Sequence, residues 1–259
     1  MTWTTRPRSE VAGLAAIQRG EGPPVLLLHG VGLRAEAWAP QIDALSARYR
    51  VTALDLPGHG ESALPARPMS LTYYSDAVLS AVTDPAVIIG HSMGAMIALD
   101  LACRVPERVR GVAALNAVFE RDAKAAAAVQ ARAEALDGET PADPEPTLTR
   151  WFGNAETPAR AACRDWLSTV SPAGYKSAYT AFAKAQGPDR TALARLACPA
   201  LFITGALEPN STPAMSRAMA DLAPQGRAQI VEGAAHMMPM THAAAVNAAL
   251  LDFLQEVTP

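Results

Sequence analysis

The chain has 259 residues, half of them apolar, with 22 basic and 25 acidic side chains and a formal net charge of −3. That length and apolar share fit one large α/β domain, or one such domain carrying an inserted subdomain. No basic stripe is present, which argues against nucleic acid as a partner, and the balance is too mild to suggest a strongly charged substrate.

In chain order, short apolar runs alternate with helical patterns. The opening segment from Trp3 to Gln18 is expected to hold one or two edge strands. Compact apolar runs then predict strands over 25–29, 50–55, 86–90 and 110–115, and again over 200–204 and 228–232. Helical patterns lie between and after them, over 37–49, 71–82, 93–105, 212–222 and 243–256. This rhythm predicts a mostly parallel sheet covered by helices on both faces. One stretch breaks it. From Phe119 to about Arg195 no strand is expected: Ala, Glu, Arg and Lys favour a helix over 120–136, a Pro-rich linker spans 141–146, and two further helices cover 156–169 and 172–186. The second of these has Ser171 as N-cap and Pro172 in its first turn. The expected organisation is therefore a core of residues 1–118 and 196–259 with an all-helical insertion over 119–195.

Cys103, Cys163 and Cys198 show no CxxC spacing, which argues against a disulfide framework or a structural zinc site. The first twenty residues carry Arg6, Arg8 and Glu10 and no apolar core run, so a signal peptide is not expected. No stretch of about 18 apolar residues suggests a membrane span. A cytoplasmic location is the expectation.

The most informative pentapeptide is Gly90-His91-Ser92-Met93-Gly94, placed between a predicted strand and a predicted helix. A tight strand-to-helix turn needs glycine on both flanks and holds the serine in a strained conformation, its hydroxyl exposed above the sheet edge. The helix amides that follow favour negative charge at that spot. A serine hydroxyl is a poor nucleophile at neutral pH and needs a base, itself oriented by a third group. Of the five histidines, His29 ends a strand, His59 sits in a Gly-flanked turn, His91 projects away from its neighbour Ser92, and His242 opens the last helix. His236 remains, on a loop after the last strand. Among the carboxylates after Ser92, Glu208 lies in Gly205-Ala-Leu-Glu208-Pro209 directly after a strand, on the same expected sheet edge; Glu120 is the rival acid. An oxyanion hole would take one donor from the Met93 amide and one from the loop 29–33, with Val31 N–H the choice and Gly32 the alternative.

These segments resemble the α/β-hydrolase superfamily over nearly the whole chain. The resemblance rests on His29-Gly-Val-Gly32, Asp55-Leu-Pro-Gly-His-Gly60 with Ser62, Gly90 to Gly94, Gly205 to Pro209, and Gly233-Ala-Ala-His236 followed by Leu250-Leu-Asp-Phe-Leu254. It is strongest to the branch of 3-oxoadipate enol-lactonase-like enzymes, small carboxylesterases and C–C bond hydrolases, in which the insertion would be a cap domain. The family usually has aspartate where Glu208 stands, and often an acidic residue where Met240 and Thr241 stand. Serine rather than aspartate at position 92 argues against the haloalkane dehalogenase and epoxide hydrolase branches. The resemblance implies a serine esterase or lactonase with the triad Ser92, Glu208 and His236. It needs no cofactor or metal and acts on a small-molecule substrate. C–C bond hydrolysis of a vinylogous diketone and non-catalytic ligand binding are the alternatives, and a homo-oligomer is left open.

The pocket is expected between sheet edge and cap. Its candidate lining is Leu33, Trp38, Met93, Trp151, Phe152, Trp166, Tyr175, Tyr179, Phe182 and Met237, which suggests an apolar, medium-sized ligand. No arginine is required as a carboxylate clamp, and Arg34 is the candidate for one.

Overall fold

The expected strands form a single sheet. The computed structural model describes residues 3–66 and 69–258. Its strands are β1 Ser9–Val11, β2 Leu14–Arg19, β3 Pro24–Leu28, β4 Arg50–Leu54, β5 Ala86–His91, β6 Val109–Leu115, β7 Ala200–Gly205 and β8 Gly226–Val231. They lie in the order β1-β2-β4-β3-β5-β6-β7-β8, with β1 and β2 antiparallel and β3 to β8 parallel. The chain winds outward from β3 to β4 on one side and from β5 to β8 on the other. The carboxyl ends of β3 and β5 therefore flank the switch point of the sheet, where open α/β folds place ligands.

Alternate residues along the central strands feed two cores. Leu26, Leu28, Ile88, Val112 and Phe202 pack on one face with helices α2 Leu71–Ser80, α3 Met93–Arg104 and α9 Pro213–Leu222. Val25, Leu27, Val87, Ile89 and Ile203 pack on the other with α1 Ala39–Leu45 and α11 Ala243–Val257. The helix expected over 37–49 divides into a 3-10 turn, Ala35–Trp38, and α1, because Pro40 fits only a first helical turn.

Between β6 and β7 come α4 Ala123–Glu134, α5 Glu145–Phe152, α6 Pro158–Thr169, α7 Pro172–Lys184 and the short α8 Arg190–Leu193. Leu148, Cys163, Leu167 and Ala178 of this cap join the same core as the α3 face of the sheet. The cap thus closes over the carboxyl edge. Helix α5 begins inside the expected Pro-rich linker: Pro144 caps it and Pro146 sits in its first turn, where a missing N–H costs nothing. The short α10 Met238–Thr241 precedes α11. Among the described residues, no helix is long and apolar enough to cross a membrane.

Candidate active site

Ser92 sits at the corner between β5 and α3 with φ +56° and ψ −117°, outside the ordinary basins of a non-glycine residue. Its flanking glycines have a steric cause. A Cβ on Gly90 would lie 2.1 Å from the Gly94 carbonyl oxygen, and one on Gly94 would lie 2.1 Å from the Leu28 carbonyl oxygen. The turn therefore closes only with hydrogen at both positions. Helix α3 runs from Met93; the Ala95 and Met96 amides donate to the Ser92 carbonyl at 3.0 and 3.2 Å, which leaves the Met93 and Gly94 amides as those of the first turn without an intrahelical partner.

Glu208 lies on the loop after β7 and His236 on the loop after β8. The strands end side by side, and the separation of 28 positions between the two residues is spanned by one helix and one strand. His236 Nδ1–H donates to Glu208 Oε2 at 2.7 Å. The other carboxylate oxygen accepts from the Asn210 and Ser211 amides at 2.7 and 3.3 Å. Burial by itself raises the pKa of Glu208, but His236 and these two amides outweigh it and push it down to about 2. The carboxylate stays ionised, and as an acceptor only it fixes the imidazole with its proton on Nδ1, leaving Nε2 as the basic atom. Glu120, the rival acid, is exposed and pairs with Arg190 at 2.8 Å, away from this site. Ser92 and His236 border one pocket; no hydrogen bond joins the Ser92 hydroxyl to His236, a contact that often tightens only when substrate binds.

The main chain of His236 is held from below by two residues whose part the sequence did not reveal. His91 Nε2–H donates to the His236 carbonyl at 2.8 Å, and Asn116 Nδ2–H donates to the same oxygen at 2.6 Å. Burial is the main reason the His91 pKa falls to about 3, so the ring is neutral. Asn116 follows β6 with φ +51° and also accepts from the Gly205 amide at 3.3 Å, so one amide side chain ties the ends of β6 and β7 to the histidine loop. An asparagine directly after a strand, suited to the left-handed region, is the signal that could have marked it.

The loop after β3 makes a turn over Gly30 to Leu33, with Leu33 N–H donating to the Gly30 carbonyl at 3.2 Å and Gly32 at φ +75°. Gly32 N–H is occupied: it donates to His59 Nε2 at 3.0 Å. His29 supports the neighbouring turn by accepting the Leu56 amide at 3.0 Å. Of the two candidate donors in this loop, Val31 N–H is the one without an acceptor among the described residues, and Val31 borders the pocket.

The pocket encloses about 650 Å³, its mouth included. Of the expected lining it contains Leu33, Trp151, Tyr175, Tyr179 and Phe182. Trp151 stacks on the His236 ring at 5.3 Å between centroids and 22° between planes. Trp38, Phe152, Trp166 and Met237 do not border it. Trp38 is buried on the opposite face of the sheet, edge-on to His91; Trp166, on the cap helix α6, packs edge-on to Trp3; Met237 is buried in the core; and Phe152 lies against the core cluster, past the pocket-lining Trp151. The Met93 side chain is likewise core and does not border the pocket. Arg34 is taken by Glu36 at 2.9 Å and Glu61 at 3.8 Å.

Three arginines absent from the expected lining border the pocket instead: Arg121, Arg132 and Arg150. Their hydrogen-bond partners among the described residues are all neutral. Arg121 Nη1 donates to the Ala185 carbonyl, Arg132 Nε to Tyr179 Oη at 3.0 Å, and Arg150 Nη2 to Thr147 Oγ1 at 2.8 Å. The mild net charge of the whole chain thus conceals a strongly cationic pocket.

Comparison with known proteins agrees with this architecture. The model of the Alpha/beta hydrolase family matches residues 25–249. An (E)-2-((N-methylformamido)methylene)succinate hydrolase of Acinetobacter baylyi is 40% identical over 248 residues, covering 93% of this chain and 94% of the relative. A thermophilic esterase of Thermogutta terrifontis, solved with malate bound, superposes with a TM-score of 0.87 at 25% identity, covering 98% of this chain and all of that one. The enol-lactonase of Burkholderia xenovorans gives 0.82 at 28% identity, covering 96% and 100%. The chain belongs to the α/β hydrolase family.

Proposed function

We propose that the protein is a serine hydrolase that transfers an acyl group to water, cleaving a carboxylic ester or lactone through an acyl-enzyme on Ser92. The observation that carries this reading is the 2.7 Å contact of Glu208 with His236 at the rim of the pocket that Ser92 also borders. His236 Nε2 takes the hydroxyl proton as Ser92 Oγ attacks the carbonyl. The Val31 and Met93 amides receive the charge that develops on the carbonyl oxygen. The imidazolium then protonates the leaving alkoxide, and water, deprotonated by the same nitrogen, releases the acid. Glu208 holds the ring in the required tautomer and steadies its charged form; the buried, neutral His91 and Asn116 keep the His236 main chain in place. The family, the resemblance to an esterase and an enol-lactonase, and the hydrolytic activity named for the 40% identical relative support the same class of chemistry.

Release of p-nitrophenol from a p-nitrophenyl ester tests it. The protein is expected to turn over at least one ester of a graded acyl series, and Ser92→Ala to abolish that turnover while keeping the native circular dichroism. Wild-type rates in folded Ser92→Ala would overturn the assignment of the nucleophile.

A further inference from the structure

The cap carries two populations of arginine. Away from the pocket, the buried Arg160 and the half-buried Arg164 are paired with carboxylates: Arg160 meets Glu145 at 2.9 Å, and Arg164 meets Glu145 at 2.7 Å and Glu156 at 3.1 Å. On its inner surface Arg121, Arg132 and Arg150 border the pocket, and none has a carboxylate partner among the described residues. Each guanidinium is oriented by one neutral neighbour and keeps further N–H donors free. Arg121 is also packed over the Phe182 ring, 4.6 Å from its centroid, and its Nη2 is buried with no hydrogen-bond partner. Burial, reinforced by Arg132 nearby, pushes the Arg121 pKa down to about 10. If these arginines served only to tie the cap helices together, neutral side chains would do so without placing like charges in one cavity. Buried charges and orphaned donors are otherwise paired, and guanidinium forks match carboxylates in particular.

We propose, on the hydrolase reading above, that this arginine wall is a carboxylate subsite: the substrate's acyl group itself carries a free carboxylate, as in the half-ester or the lactone derivative of a dicarboxylic acid. The scissile carbonyl lies at Ser92 and the free carboxylate is received by Arg121, Arg132 and Arg150 under the cap. The succinate derivative in the name of the 40% identical relative and the malate in the Thermogutta esterase structure are of the same chemical class.

The test compares p-nitrophenyl hemiglutarate with p-nitrophenyl 5-methylhexanoate, in which an isopropyl group replaces the carboxylate at equal chain length. The wild-type protein is expected to favour the hemiglutarate in kcat/KM by at least tenfold, a preference that shrinks as sodium chloride screens the pocket. Arg121→Met, Arg132→Met and Arg150→Met should each reduce the ratio of anionic to neutral turnover, and the Lys variants should restore part of it. In parallel, free glutarate should raise the melting temperature of the wild type more than the neutral glutaramide does. Equal or greater preference for the neutral ester would overturn the carboxylate subsite while leaving the hydrolase reading intact. Absence of turnover with both esters and with the whole graded acyl series would overturn the hydrolase reading; the thermal shifts would then still decide the subsite, equal shifts with glutarate and glutaramide ruling it out.

Discussion

Replacing Glu208 with glutamine changes one oxygen to NH₂ and retains the shape, so its effect can be reasoned from the hydrogen bonds alone. One carboxylate oxygen accepts from His236 Nδ1–H and the other from the Asn210 and Ser211 amides. Glutamine can satisfy one side only. With its carbonyl toward the two amides, its NH₂ confronts the imidazole and turns the ring or reverses its tautomer. With its carbonyl toward the ring, NH₂ confronts two buried donors. In either arrangement Nε2 is no longer a reliably placed base next to Ser92. Loss of the tautomer and of the charge that steadies the imidazolium is expected to lower kcat by about 10³–10⁴-fold, roughly 4–5.5 kcal/mol of barrier. Stability should fall as well. A carboxyl pKa held at about 2 against an ordinary 4.5 corresponds to an order of 3 kcal/mol favouring the ionised, folded form. Because the folded-state value is the lower one, that contribution is present above pH 4.5 and is lost as the pH falls toward 2. The Gln variant should therefore melt roughly 6–12 °C below wild type at pH 7, with the gap closing below pH 4.5. Steady-state hydrolysis of a p-nitrophenyl ester and calorimetry between pH 3 and 8 measure both effects. A folded Gln variant with kcat within tenfold of wild type would refute the role assigned to this carboxylate.

Three further outcomes follow from local geometry. Ser92→Gly should abolish ester turnover and raise the melting temperature, because glycine relieves a left-handed backbone worth on the order of 1–2 kcal/mol. Gly94→Ala should fail to give folded protein at 37 °C, since its methyl would sit 2.1 Å from the Leu28 carbonyl oxygen; soluble yield and circular dichroism check this. Asn116→Ala removes a 2.6 Å donor from the His236 carbonyl and an acceptor from the Gly205 amide. It should cost about 1–3 kcal/mol of stability and reduce kcat with KM little changed, read by denaturant unfolding and steady-state kinetics.

The parts of the molecule legible in the sequence are those in which a local pattern and a tertiary role coincide. Buried parallel strands read as apolar runs, and the glycines of 90–94 announce a turn that nothing larger can make. Glu208 and His236 follow from strand ends, because a loop directly after a parallel strand must open on the carboxyl edge. What stayed hidden depends on how the cap folds over the sheet. Helix α5 was disguised by three prolines between 141 and 146, two of which sit where a helix start tolerates them. Arg150 and Trp151 therefore came without a direction, and only Trp151 was placed at the pocket. Trp38 and Trp166 look like pocket aromatics in composition, yet they serve opposite sides of the core. The cationic pocket had no local signal at all: Arg121, Arg132 and Arg150 are ordinary cap arginines until folding leaves them without the acidic neighbours that Arg160 and Arg164 find.

In the proposed chemistry the hydroxyl on the β5–α3 corner is activated by the imidazole and carboxylate carried on the loops after β8 and β7. A fluorophosphonate probe followed by peptide mass spectrometry asks this directly, since only an activated serine reacts quickly. A single stoichiometric adduct on Ser92 is expected, formed in minutes by the wild type and slowed severely in His236→Ala and Glu208→Gln. An unlabelled Ser92 in a protein that still turns over esters, or labelling that proceeds equally fast without His236, would contradict it.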